Sequence, residues 1–456
     1  MPKDSALRDE TATRPRGRRR PGTPRVAWLI GPALVAGVAY LDPGNVASNM
    51  TAGAQYGYLL VWVVVAGNVM AWLIQYLSAK LGIVTGESLP EVLGRRMHVR
   101  WARRAYWLQA EAVAMATDIA EVIGGAVALY LLFGVPLVWG GVITGLVSIA
   151  LLMVQSRRGP RPFEYAVIAL MVIITIGFVA GVFVGPPDPA ATIAGLAPRF
   201  EDAGSVLLAA SILGATIMPH AIYAHSALAR DRFAPRAVPA LGTENPSGVG
   251  AGGDPRARQG VHDGQLETLR GVGTARLLRA TKWDVTIAMA VAGTVNLCIL
   301  LLAAANLAGI PGTDSLEGAY EALDAGLGPV IATLFAVGLL ASGLASTSVG
   351  AYAGAEIMNG LLRVRVPLLA RRLVTLAPAL AILAVGFDPT LALVLSQVVL
   401  SFGIPFALVP LLVLTAQRRT LGEYRNRVWT TVAGGAASVF LIALNGVLLW
   451  LVFTGA

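Results

Sequence analysis

Four short stretches hold the side chains that could do chemistry. Asp42-Pro43-Gly44-Asn45 and Gly214-Ala215-Thr216-Ile217-Met218-Pro219-His220 interrupt apolar sequence with a carboxylate, an amide, a thioether and the backbone carbonyls that a proline leaves without a donor. Glu111, Asp118 and Glu121 follow one another at offsets of 7 and 3, which puts three carboxyls on one helix face. Arg371 and Arg372 are cations of the kind such a face needs. An ionisable group inside an apolar run is costly and is a functional candidate by default, and rows of acids are how proton relays are built.

The donor set narrows the ligand. Asp42 and Asn45 supply hard oxygens, and unwound backbone near Ala215 adds a carbonyl. Oxygen alone suits Mg²⁺ or Ca²⁺; the sulfur of Met218 shifts the preference to softer transition metals. Packing is the alternative for Met218, one of 10 methionines. For Glu111, Asp118 and Glu121 the alternative to a proton path is a static network of buried ion pairs that holds helices together. His220 and His225 are five residues apart, about 140° around a helix, so they do not form a two-histidine metal site. A histidine changes charge near neutral pH, which suits proton-linked motion; for His225 a structural hydrogen bond is an equal reading.

The elements that must hold these groups follow from composition. Of 456 residues, 56% are hydrophobic and 13% charged; a soluble domain carries about 25% charged residues. Apolar runs of about 20 residues recur, the mark of a polytopic helical membrane protein, whereas a transmembrane barrel would show period-2 strands. Hydropathy places spans near 27–55, 58–80, 105–133, 135–155, 162–184, 205–229, 284–308, 328–360, 366–386, 390–415 and 429–453. With the N-terminus inside, every one of the 35 lysines and arginines except Arg199 falls on the inner side of this path. The net charge of +9 thus reads as topology and not as a nucleic-acid surface. Asp188, Glu201, Asp202, Asp314, Glu317, Glu321, Asp324 and Asp388 fall outside. They make either an acidic mouth that attracts cations or ordinary solvated loops.

The polar segment 1–25 reads as a disordered basic cytoplasmic tail; a signal peptide is the lesser reading, as no soluble domain follows. The Gly-, Pro- and Arg-rich segment 231–280 reads as a disordered cytoplasmic insertion, and His262 within it carries no role. The single cysteine, Cys298, excludes disulfides and cysteine-based metal sites.

The Asp-Pro-Gly-Asn string would ordinarily mark a surface turn. Here about 16 apolar residues precede it, too few to cross a bilayer of about 30 Å, so the turn lies mid-membrane inside one broken helix. Pro219 repeats the device in span six. Five spans separate the two breaks, so two five-span blocks, 26–185 and 205–415, insert with opposite orientation, with 429–453 as an extra helix. Paired interruptions in an inverted repeat point to a transporter's central site, and irregular backbone at this depth is tolerated where it lines a cavity.

These strings resemble the natural resistance-associated macrophage protein (Nramp) family. Asp42-Pro43-Gly44-Asn45 and Met218-Pro219-His220 carry the likeness. Gly343-Leu344-Ala345-Ser346-Thr347 with Tyr352-Ala353-Gly354-Ala355-Glu356-Ile357-Met358-Asn359-Gly360 is similar to that family's transport motif at span eight. The likeness runs from about Val26 to Phe453, with 231–280 outside it. It implies a LeuT-like, all-α integral membrane fold and proton-coupled import of Mn²⁺ and Fe²⁺. It implies Asp42, Asn45, the Ala215 carbonyl and Met218 as metal ligands, and Gln397 as a residue that approaches the metal. It implies Glu111, Asp118, Glu121, Arg371 and Arg372 as the proton constellation, with Asp118 the leading acceptor. Met218 separates the chain from the family's magnesium-transporting relatives. Ala221 stands where asparagine is common, and Leu344 where a glutamine follows Gly343.

A secondary transporter working by alternating access is therefore expected, multi-pass in the cell inner (plasma) membrane. Its ligands would be a divalent transition metal and protons, with no resident cofactor, no nucleic acid and no obligate protein partner. A sodium-coupled amino-acid carrier of the same fold would share the broken helices but need no methionine ligand. No His-Glu-x-x-His motif or nucleophile arrangement suggests an enzyme.

Overall fold

The computed structural model describes residues 31–158, 160–233, 272–364 and 368–454. The 1–25 tail and His262 lie outside the described residues. Every regular element among the described residues is a helix. Helices α1 (Pro32–Val38) and α2 (Pro43–Tyr56) are halves of the first apolar segment, separated by the tight turn Ala39–Leu41 and an extended Asp42. Then come α3 (Val61–Thr85), the short α4 (Leu89–Arg96), α5 (Arg100–Phe133), α6 (Leu137–Arg158), α7 (Pro160–Val184) and the short α8 (Pro189–Ala194). Helices α9 (Ala203–Thr216) and α10 (Pro219–Arg232) form the second broken pair. Beyond residue 271 lie α11 (Thr274–Asn306), α12 (Leu316–Leu327), α13 (Pro329–Leu362), α14 (Leu368–Ala384), α15 (Pro389–Ala416), α16 (Arg418–Leu421) and α17 (Val428–Thr454).

The prolines at the breaks do not kink continuous helices. Pro43 and Pro219 each open the second half-helix within its first turn, where a missing N–H leaves no bond unmade. The carbonyls stranded ahead of Pro43 find partners on neighbouring helices: Asn296 Nδ2 of α11 donates to the Tyr40 carbonyl at 3.0 Å, and the Ser342 hydroxyl of α13 donates to that of Leu41. Buried backbone groups away from water must be paired, and a broken helix persists because its neighbours supply the donors.

The 231–280 insertion is shorter than its composition suggests. Asp231 and Arg232 complete α10, and α11 starts at Thr274; the positions between Phe233 and Val272 lie outside the described residues. Polarity misleads at both ends, because the end turns of an apolar helix carry arginines without ceasing to be helical. Hydropathy also passes over α4, α8, α12 and α16, which are too short or too polar to register. Helix α4 starts with a capping box in which Ser88 and Glu91 bond each other's backbone N–H. Three acids of the expected outer rim are helix caps: Asp188, Asp202 and Asp388 each accept backbone N–H groups at the starts of α8, α9 and α15.

Among the described residues seven helical segments, one of them the α9–α10 pair, are long and apolar enough to cross a membrane, with shorter apolar helices at Pro32–Leu41, Leu137–Ala150 and Ile168–Val184. They differ in enclosure. The apolar window within Ala203–Arg232 is 94% buried, whereas that of Val428–Thr454 is 33% buried. The broken sixth segment is therefore at the centre of the bundle and α17 at its edge.

Candidate functional site

The two breaks meet. Asp42 is extended and caps α2, its Oδ1 accepting from both the backbone N–H and the side-chain Nδ2 of Asn45 at 2.9 Å. The same Asn45 Nδ2 donates to the Ala215 carbonyl at 2.8 Å, joining residues 170 positions apart. Gln397 of α15 donates from Nε2 to Asp42 Oδ2 at 3.1 Å. Met218 caps α10 at the second break and is fully buried, as are Asp42, Asn45, Ala215 and Gln397. Two amide oxygens, Asn45 Oδ1 and Gln397 Oε1, are buried without a hydrogen-bond partner.

Two glycines make this convergence possible. A Cβ on Gly44 would lie 1.7 Å from Gln397 Nε2, and one on Gly214 would lie 1.9 Å from the Gln397 carbonyl oxygen. Helix α15 can therefore approach both broken helices only where side chains are absent. Among the described residues no ion pair reaches Asp42, and no group of three or more His, Cys, Asp or Glu side chains is arranged to hold a metal. One carboxylate, two amides, a carbonyl and a thioether form a mixed oxygen–sulfur set instead. It is a site of low charge that a soft divalent cation would complement better than Ca²⁺ would.

The second cluster lies where α5 meets α14. Arg371 Nε donates to Glu111 Oε1 at 2.9 Å, and Arg371 Nη2 lies 3.6 Å from Asp118 Oδ2. Arg372 Nη1 lies 2.8 Å from Asp118 Oδ1 and 3.4 Å from Glu121 Oε2, while its Nε donates to Ser148 Oγ at 2.9 Å. The offsets that put three acids on one face of α5 thus bring them all to the paired arginines. Three carboxylates share two guanidinium groups, so the fully ionised cluster is one cation short of balance. Glu111 Oε2 and Glu121 Oε1 have no hydrogen-bond partner.

His220 stands between the two clusters: it follows the Met218-Pro219 break, and its Nδ1 is 3.2 Å from the hydroxyl of Thr117, the neighbour of Asp118. His225 stands apart from the acids. Its Nδ1 pairs with Gln75 Oε1 at 2.7 Å, and Gln75 Nε2 donates to the Tyr40 hydroxyl. Sequence reasoning passed over Gln75 and Tyr40, which with His225 line a small cavity beside α1. It passed over Asn296 and Ser342 as well. The available signal was an amide or hydroxyl inside an otherwise apolar run, a weaker mark than a charge. At the start of α9, the Tyr56 hydroxyl donates to Asp202 Oδ1 at 2.7 Å and, with the Ser205 N–H, holds that carboxyl below its usual range.

Relatives of known character share this arrangement of sequence and fold. The profile of the natural resistance-associated macrophage protein-like (Nramp) family matches residues 33–451. The divalent metal cation transporter MntH of Mycobacterium tuberculosis is 56% identical over 432 residues, covering 94% of this chain and 93% of the relative. That of Deinococcus radiodurans is 44% identical over 434 residues, covering 94% and 91%. A crystal structure of the Eremococcus coleocola manganese transporter in complex with an aromatic bis-isothiourea substituted compound superposes with a TM-score of 0.75 at 32% identity, over 92% of this chain and 85% of that one. MhsT in complex with L-phenylalanine superposes at 0.53 with 13% identity, over 94% of this chain and 100% of that one, a likeness of fold alone. The profile spans most of the chain and the relatives align along nearly their full lengths, so this chain belongs to the Nramp family.

Proposed function

We infer that this multi-pass inner-membrane protein is a divalent metal cation transporter, and that Asp42, Asn45, the Ala215 carbonyl, Met218 and Gln397 form its metal site. The transported ion is Mn²⁺, with Fe²⁺ and similar transition metals as further substrates, and import is coupled to protons by alternating access. No resident cofactor is needed, since the metal is cargo. The observation that carries this reading is Asn45 bridging Asp42 to the Ala215 carbonyl, with two buried amide oxygens left free at the same point. Both breaks thereby contribute to one site. A cation entering it replaces hydrogen bonds that Asn45 and Gln397 now make with Asp42 and ends the isolation of a buried carboxylate.

Protons are carried by Asp118 with Glu111, Glu121, Arg371, Arg372, His220 and His225. The missing cation of the acid cluster is met by one proton; the family likeness makes Asp118, which links the two arginines, its leading acceptor. His220 links that cluster to the metal through Thr117; His225 acts lower on the path through Gln75. The topology that goes with this reading is the one expected from the sequence, two inverted five-span repeats and an eleventh span, with the N-terminus inside and the C-terminus outside. Exposed Trp101, Trp283 and Trp429 lie beside basic residues, and Trp139 and Trp450 at the opposite helix ends, the placement of aromatic belts. The amino-acid carrier reading gains nothing from this site, where a single amino acid would leave the thioether unused.

Mn²⁺ uptake by proteoliposomes tests the assignment. Asp42→Ala abolishes uptake while leaving folded protein in the bilayer; retained uptake would refute the site.

A further inference from the structure

Helix α17 lies at the edge of the bundle, yet one of its polar side chains reaches the helix that carries Gln397. Pro405 sits inside α15, and a proline withdraws the N–H that would otherwise bond the carbonyl four residues earlier, here that of Ser401. Asn445 of α17 takes its place: its Nδ2 donates to the Ser401 carbonyl at 3.0 Å, and its Oδ1 accepts from the Ser401 hydroxyl at 2.8 Å. Ser401 is fully buried and Asn445 5% exposed, on a helix whose apolar window is only 33% buried. A second proline, Pro410, leaves the Phe406 carbonyl in the same state, and the Tyr106 hydroxyl of α5 donates to it. Helix α15 is thus doubly interrupted and held from outside at each interruption.

Ser401 is one turn below Gln397 and shares its face. An added Cβ on Gly214 would lie 1.9 Å from the Gln397 carbonyl oxygen and 2.9 Å from the Ser401 N, so this turn presses directly on the second break. Gln397 in turn donates to Asp42. The chain Asn445, Ser401, Gln397, Asp42 is physically continuous.

We propose that Asn445 is a positioning residue of the transport site: by holding both polar groups of Ser401 at the Pro405 interruption, it sets where α15 presents Gln397 to the metal. The proposal rests on the reading of Gln397 as part of the metal site, and its test separates the two. Contiguity alone is not coupling, so a double-mutant cycle is required. Mn²⁺ uptake is measured in proteoliposomes, with KM and maximal rate separated per folded transporter, for wild type, Asn445→Leu, Gln397→Ala and the double variant. Asn445→Leu raises KM by about 5-fold, the scale of one interhelical hydrogen bond in a membrane, and leaves KM unchanged when Gln397 is already alanine. Asn445→Gln, which keeps the amide, recovers part of the loss. If Asn445→Leu lowers only the amount of folded protein, or raises KM by the same factor in both backgrounds, Asn445 is merely a packing residue and the proposal fails. If Gln397→Ala has no effect on KM while Asn445→Leu does, the proposal also fails. Should Asn445→Leu not fold, Ser401→Ala completes the same cycle with the same criteria. Uptake retained in Asp42→Ala would refute the metal site itself, independently of this cycle.

Discussion

Two charged regions within the bundle, the crossing of the broken helices and the face of α5, are built on opposite principles. At the crossing of the broken helices, one carboxylate sits with amides, a carbonyl and a thioether, and no ion pair reaches it among the described residues. About the face of α5, three carboxylates are matched to two guanidinium groups by direct contacts of 2.8–3.6 Å. The first region is left for a cation to complete. The second is nearly complete and has room for the charge of one proton. A transporter that moves two kinds of cation gains from keeping the sites distinct, since a divalent ion needs displaceable ligands and a proton needs only an unbalanced carboxylate.

The sharpest way to break the comparison is stability. Arg372→Met strands Glu121 and leaves Asp118 only its 3.6 Å contact with Arg371, so it costs about 3–5 kcal/mol, read as a large fall in melting temperature in detergent. Asp42→Ala removes a buried carboxylate that has no ion pair and with it the N-cap of α2, so it costs about 1 kcal/mol and lowers the melting temperature far less. Equal destabilisation by both would mean that the two regions are the same kind of structural network.

Crowding gives the next effect. Gly44→Ala places a methyl group on Gln397 and lowers Mn²⁺ uptake by about 10-fold, at the lower end of what disturbing a metal site's supports costs. The same substitution at the half-buried glycine Gly435, beside which an added Cβ meets nothing, leaves uptake unaltered. Met218→Ala keeps most Mn²⁺ uptake but admits Ca²⁺ and Mg²⁺ as competitors, because only oxygen ligands remain. Unaltered competition would reduce Met218 to packing.

The smallest effect is expected at the outer rim, where acids are caps. Asp202→Ala costs about 1 kcal/mol through the lost N-cap of α9. Its carboxyl is held below the usual range by Tyr56 and Ser205. The cap's contribution is therefore present above the ordinary carboxylate pKa of about 3.9 and is lost as pH falls through the lower folded value. Thermal melts of wild type and Asp202→Ala should differ at neutral pH and converge in strong acid.

Much of this was legible in the sequence for physical reasons. A charge in an apolar run is conspicuous, so Asp42, Glu111, Asp118 and Glu121 could be picked out, and the offsets within α5 fixed their common face. Pro43 and Pro219 marked the breaks because a proline is without cost in the first turn of a helix, although Pro405 and Pro410 show that a helix can also run through one when neighbours serve the freed carbonyls. Less visible were neutral partners such as Gln75, Asn296, Ser342 and Asn445, whose amides and hydroxyls differ little from ordinary span residues until a neighbouring helix brings them a stranded carbonyl. The role of Gly44 and Gly214 was equally hidden, since close approach to α15 is a property of tertiary packing. The ends of the 231–280 segment were misread because polarity alone does not terminate a helix.

Simultaneous recording of Mn²⁺ uptake and internal acidification in proteoliposomes of Asp118→Asn, matched to wild type for folded protein, tests the separation of the two sites most directly. Metal uptake that persists while metal-driven acidification collapses is the predicted result. Acidification that continues in proportion to metal uptake, as in wild type, would contradict it.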